Sequence, residues 1–205
     1  LGGFLLSLAG PWMVFALNAL SVVGVAWVLW RWRPASTVQR LPPEHFFSAV
    51  RSGIRYVHAA PVLRNVLVRT VAFFVFGSAG WALLPLVARR ELGLGPAGYG
   101  VMLACIGLGA IAGAILLPRL RQRLNADRLM VAASLTFALT MLALAFVRHF
   151  WLLNLFEFFT GFAWIAVLST LNLGAQRSAA RWVKARALAV YLTVFFGSMT
   201  AGSAI

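Results

Sequence analysis

The stretch GLGAIAGAILLPRLRQRLNADRL, Gly107 to Leu129, joins two unlike halves. Glycines at 107, 109 and 113 come close to the spacing of a dinucleotide-binding turn, and a burst of arginine follows. A phosphate-cradling loop, a nucleic-acid patch and the end of a membrane helix compete for this pattern. The nucleotide fingerprint needs G-x-G-x-x-G between a strand and a helix, whereas these glycines run G-x-G-x-x-x-G inside an apolar segment. Gly109 and Gly113, with Ala110 and Ala114 beside them, instead have the four-residue spacing of small side chains that lets two membrane helices approach closely. The arginines after Pro118 then mark the cytoplasmic exit of that helix.

Composition points the same way. Of the 205 residues, 62% are hydrophobic and 11% charged, and the mean hydropathy is +0.89. A soluble domain carries about 25% charge and about 45–50% apolar residues, so too few groups are left here to meet water. The net charge of +14 does not make a nucleic-acid surface, because the Lys and Arg sit between long apolar runs rather than on one polar face. No nucleic-acid partner is expected; the expected partner is the lipid bilayer.

A membrane helix needs about 20 mostly apolar residues. Trp12 to Trp30 is one such span, with tryptophan at both ends, where lipid meets water. Further spans are expected near 66–88, 98–117, 129–147 and 151–173. A partial span over 1–9 precedes them, and a last one, cut short, starts near Leu188. The fold class is therefore all-α, a multi-spanning membrane helix bundle. Of the 18 basic residues, all but Arg89, Arg90 and Arg148 fall on one side when the loops are numbered alternately. The positive-inside rule makes that side cytoplasmic, with loops 31–65, 118–128 and 174–187 on it.

The 31–65 loop carries its own helix signal. Pro42-Pro43-Glu44 suits a first helical turn, and Phe46, Phe47, Val50, Ile54 and Val57 recur at three- and four-residue spacing, flanked by Arg51 and Arg55. Two placements are open: on the cytoplasmic leaflet, or as a packing strut between two halves of the protein.

No catalytic set is present: there is no serine–histidine–acid combination and no P-loop. His45, His58, His149 and the single Cys105 show no metal-ligand spacing, so no metal site and no cofactor is expected. Glu157 is the one carboxylate well inside a span, about 9 Å past the entry at Trp151 at 1.5 Å per residue. An ionisable group at depth is costly and faces a cavity or a partner; the candidate roles are proton coupling, an interfacial anchor, or pairing with Arg148. Asn18, Ser78, Asn154, Asn172 and Gln176 are further polar pathway candidates, and Trp81 and Trp164 are candidates to line a cargo cavity. For each, helix–helix packing is the plainer role.

Six segments carry a family resemblance: LGGFLLSLAGPWMVFALNALS (1–21), SGIRYVHAAPVLRNVLVR (52–69), GWALLPLVARRELGLGPAGYG (80–100), LPRLRQRL (117–124), LSTLNLGAQ (168–176) and ARALAVYLTVFFGS (185–198). The chain resembles the second half of a major facilitator superfamily transporter, and is similar to the bacterial branch with the enterobactin exporter and related efflux-like proteins. The resemblance implies roughly helices five to eleven of a twelve-helix fold, truncated at both ends. Residues 1–30 would end the N-terminal bundle, 31–65 would link the halves, and 66–205 would form the C-terminal bundle, with the N-terminal half of the same chain as a missing partner. The family's G-x-x-x-D-R-x-G-R-R loop survives as a degenerate echo in Arg119, Arg121, Arg123, Asp127 and Arg128.

The function so implied is secondary active transport by alternating access, as a proton-coupled exporter of a small-molecule cargo, siderophore-like or drug-like, in the bacterial inner membrane. A non-transporting scaffold or sensor that keeps the fold is the alternative. The orientation is directly testable. In a Cys105→Ala background, Arg121→Cys should react with a membrane-impermeant thiol reagent only once the cytoplasmic face is opened, and Pro96→Cys should react in spheroplasts; the reverse pattern overturns the topology.

Overall fold

The computed structural model describes residues 11–32, 46–180 and 182–204. These form α1 (Pro11–Arg31), α2 (Phe46–Ala59), α3 (Pro61–Leu86), α4 (Pro96–Arg123), α5 (Ala126–Phe146), α6 (Phe150–Ser178) and α7 (Lys184–Ser203), with a π-helical turn, Val87–Glu91, continuing α3. There is no strand among the described residues. Every helix but α2 is long and apolar enough to cross a membrane, so the protein is an all-α multi-spanning bundle. The expected partial span over 1–9 and the helix start at Pro42-Pro43-Glu44 lie outside the described residues, as do the side chains of Phe46, Phe47 and Val50.

Several spans exceed their apolar runs. Pro118 does not end α4 but lies inside it, and Arg119, Arg121 and Arg123 belong to its last turns. At 28 residues the helix is about 42 Å long against a hydrocarbon core of about 30 Å. The helix is therefore longer than that core, and its final turns carry the arginines. The expected 118–128 loop shrinks to residues 124–125. Pro61 opens α3 rather than merely closing the preceding helix, because proline at the first helical position loses no intrahelical bond. The final span is a 20-residue helix from Lys184, not a short one from Leu188. Its first turn carries Lys184 and Arg186, which an apolar count excludes although their stems can lie along apolar surface.

Helix ends are set locally. Asn125 caps α5, its side chain accepting from the Arg128 N–H at 3.0 Å, the usual way to satisfy an N-terminal amide. Gly93, at φ 61°, turns the chain between the π-helical turn and α4, a conformation that costs glycine little. Pro85 lies inside α3 two residues before the π-helical turn, and its missing N–H leaves the Trp81 carbonyl without the donor four residues on.

α2 packs against the start of α7 and the end of α6. Gly53 lies against Val190 and Arg186 of α7, and Arg186 Nη1 donates to Ser52 Oγ at 3.1 Å. The Tyr56 hydroxyl donates to the Ser178 carbonyl and accepts from the Ala180 N–H, both at 3.0 Å. It thereby clamps the break between α6 and α7, and its ring meets Trp182 edge-on at 5.9 Å. Ile54, assigned from its spacing to the same stripe as Val57, is exposed along with Arg51 and Arg55. The face packed on the bundle is that of Gly53, Tyr56 and Val57.

The closest helix contact joins α4 and α6 backbone to backbone. A Cβ on Gly109 would land on the Phe158 carbonyl, and one on Gly161 would land on the Ile106 carbonyl beside the Ala110 nitrogen. Gly113 continues the seam against the Ile165 side chain. Gly202 of α7 approaches α3 in the same way, at the Val75 carbonyl and Ser78 Oγ. Apolar burial between helices gains little in lipid, so such packing contacts carry association. α1 stands apart: none of its span is buried against the described bundle.

Replacing Gly109 or Gly161 with leucine should cost about 3 kcal/mol or more, the upper range for overpacking, and sharply reduce folded yield. Gly107→Leu is the control, since a Cβ there meets nothing within 4 Å. Equal thermal stability of all three variants in detergent would remove the seam from the packing account.

Candidate functional site

The α4–α6 seam positions the one carboxylate inside a span. Glu157 lies one helical turn before Gly161, on the same face, about 10 Å along α6 from Phe150. It is 1% exposed, so it is no interfacial anchor. Arg148, its candidate partner, pairs instead with Glu91 at 3.2 Å. Among the described residues no cation lies within ion-pair distance of Glu157.

Three polar atoms are buried around this turn without a hydrogen-bond partner: Glu157 Oε1, Asn154 Oδ1 and Trp81 Nε1. Asn154, also buried, donates its Nδ2 to the Phe150 carbonyl at 2.9 Å. Each orphaned buried group costs about 1–3 kcal/mol. Such a cluster is expensive in a bundle otherwise held by apolar contact and glycine. Trp81 and Glu157 line a common void with Gly80, Leu84, Ile106, Phe137, Met141, Leu144 and Thr160. It offers about 10 Å³ to the centre of a water molecule, far too little for a cargo.

Trp81 lines this small void and Trp164 does not. Their rings pack edge-on at 5.6 Å, and Trp164 is the hub of an aromatic lattice with Phe73, Phe74 and Phe137 at 6.1, 5.1 and 6.0 Å. The lattice ties α3, α5 and α6 together. Ser78 is buried and bonds back to the Val75 carbonyl at 3.2 Å, under Gly202. Asn172 accepts from Gln176 at 2.6 Å, two turns of α6 apart from the aromatic hub. Asn18 is exposed on α1 and joins none of these groups. The structure thus brings Glu157 and Trp81 to one void, with Trp164 against Trp81 and Asn154 one turn before Glu157, and leaves Asn18 and Asn172 apart. Thr160, Ile106 and Gly161 escaped the sequence reading, because nothing in their own segments marks a partner on another helix.

The loop remnant divides similarly. Asp127 pairs with Arg69 of α3 at 2.5 Å, and Arg121 Nη2 donates to Ser169 Oγ of α6 at 2.9 Å. Arg119, Arg123 and Arg128 have exposed side chains. Arg69 counted only as a positive charge in the sequence; its position opposite Asp127 is a property of the packing. From this pair two clefts of about 460 and 480 Å³ run between α3 and α5, sharing Ala72, Phe73 and Ser134. No group of three or more metal-ligating side chains occurs among the described residues.

The described residues form a multi-pass helix bundle whose buried carboxylate, Glu157, has no ion-pair partner. A family model described as a transmembrane secretion effector, within the major facilitator superfamily, matches residues 1–205, and the chain belongs to that family of transporters. Neither a curated protein nor a solved structure matches it.

The Arg69–Asp127 pair has side chains 49% and 68% exposed, which limits its stabilising effect to about 1 kcal/mol. A double-mutant cycle with Arg69→Ala and Asp127→Ala should return a coupling energy no larger than that. A value several-fold higher would identify a buried latch instead.

Proposed function

We propose that the chain works as a proton-coupled exporter of a small molecule, siderophore-like or drug-like, by alternating access in a bacterial inner membrane. In this reading Glu157 carries the proton, while Asn154, Trp81 and Trp164 shape its surroundings. The observation that carries it is a buried carboxylate without an ion-pair partner on a helix whose backbone touches its neighbour. Such a group gains or loses its charge only with a change in packing, and that link is what coupling requires.

The proposal extends to organisation. Residues 1–30 belong with an N-terminal bundle, 31–65 link it to the bundle of 66–205, and the basic ends of α3, α4, α6 and α7 face the cytoplasm. A span with no buried residue in α1 supports the first point, and the contacts of Tyr56 support a linker that is held rather than loose.

Glu157→Gln keeps shape and hydrogen-bonding capacity but cannot titrate. In vesicles containing the intact protein it should lower pH-gradient-driven transport at least tenfold while leaving cargo binding and downhill exchange within about twofold. Arg148→Gln should not alter that result, since its partner is Glu91. Undiminished gradient-driven flux in Glu157→Gln removes the residue from coupling.

A further inference from the structure

The void between Trp81 and Glu157 has a size and a lining that identify its occupant. A site for one water needs room for one water-sized sphere and about two to four polar partners. The void offers about 10 Å³. Its lining residues include Trp81 and Glu157, whose Nε1 and Oε1 are both buried and unpartnered, and Thr160, one turn beyond Glu157. The rest of the lining is apolar.

We propose that this void is a binding site for a single ordered water that bridges Trp81 to Glu157. The water oxygen accepts from the indole N–H, which is a donor only. That contact turns the water's hydrogens toward the acceptors, Glu157 Oε1 and Thr160 Oγ1. One molecule thus satisfies both orphans, and Thr160 supplies a third contact within the usual two to four. A bound cation is disfavoured, because the indole presents a donor and only one carboxylate lines the space. A larger ligand does not fit.

Trp81 is then a positioning residue. It touches the water and not the carboxyl, and it keeps one hydrogen-bonding neighbour beside the buried Glu157. The water's existence is independent of the proton reading of Glu157; its use as the group that hands a proton to Glu157, or takes one from it, rests on that reading.

Millisecond X-ray radiolysis tests the site, since a bound water becomes a hydroxyl radical that labels the side chains around it. The intact protein in lipid nanodiscs is irradiated, and hydroxylation is read by mass spectrometry at Phe137, which lines the void and is 5% exposed, and at Phe74, which is 0% exposed and does not line it. The wild type should label Phe137 at least fivefold faster than Phe74. Gly80→Ala places a methyl in the void wall against Met141 and should bring Phe137 down to the Phe74 rate. Trp81→Phe, which removes the donor, should lower it at least threefold. Thermal melting of each variant within a few degrees of wild type confirms that the comparison is of folded protein.

Equal labelling of Phe137 and Phe74 in the wild type means a dry void and overturns the proposal. So does strong Phe137 labelling that survives both substitutions, which means water arrives by another path. The transport assay of Glu157→Gln is read separately. Labelling as expected with undiminished gradient-driven flux keeps the water and discards the proton role, and the converse result discards the water alone.

Discussion

The backbone contact between α4 and α6 is the constraint on which the rest depends. At Gly109 and Gly161 each helix presses a main-chain carbonyl into the space where a side chain would stand. In lipid, where apolar burial by itself gains little, such close approach and its van der Waals contact hold helices together. The register it imposes reaches one turn back along α6 to Glu157, which shares the face of Gly161 and is brought against Ile106. A carboxylate that could have turned to lipid, or reached toward water at the helix end, is instead enclosed by four helices.

Around that seam the bundle divides its work between aromatic and polar groups. Trp164 gathers rings from α3 and α5, and this lattice leaves beside Trp81 a space of molecular size. Most buried hydroxyls in the bundle bond back to their own helix: Thr70, Ser78, Thr140, Thr160 and Ser198 each reach a carbonyl three or four residues earlier. The unpartnered atoms on the void-lining Trp81 and Glu157, and on Asn154 one turn before Glu157, stand out against that habit. Their cost is borne by the surrounding packing, as it commonly is at a functional site.

The charged groups act at the ends of the helices. Arg69 with Asp127 joins α3 to α5 at one end, and Arg148 with Glu91 ties the α5–α6 turn to the π-helical turn at the other. Both pairs are solvent-accessible and energetically small, so they tune the relation of helices that are held by other means. Tyr56 has a larger mechanical position. Its single hydroxyl bonds both sides of the break between α6 and α7, so movement of α2 is felt at the junction of two spans.

The sequence alone determined the environment and the number and kind of elements, because hydropathy and charge act locally: each apolar run must be helical in lipid to satisfy its own backbone, and arginine collects on one side. It also exposed Gly109, Gly113 and Glu157 as exceptional within their own runs. It stopped one span short at Pro118 and began two others late, near 66 and Leu188 rather than at Pro61 and Lys184, since an apolar count stops at the first charge whereas a helix continues past it. Only the tertiary structure decided partners. Gly161 opposite Ile106, Asp127 opposite Arg69 and Trp81 across the void from Glu157 are pairings between segments far apart in the chain. No local pattern encodes them, because in a bundle the rotation of each helix about its axis is set by the shapes of its neighbours.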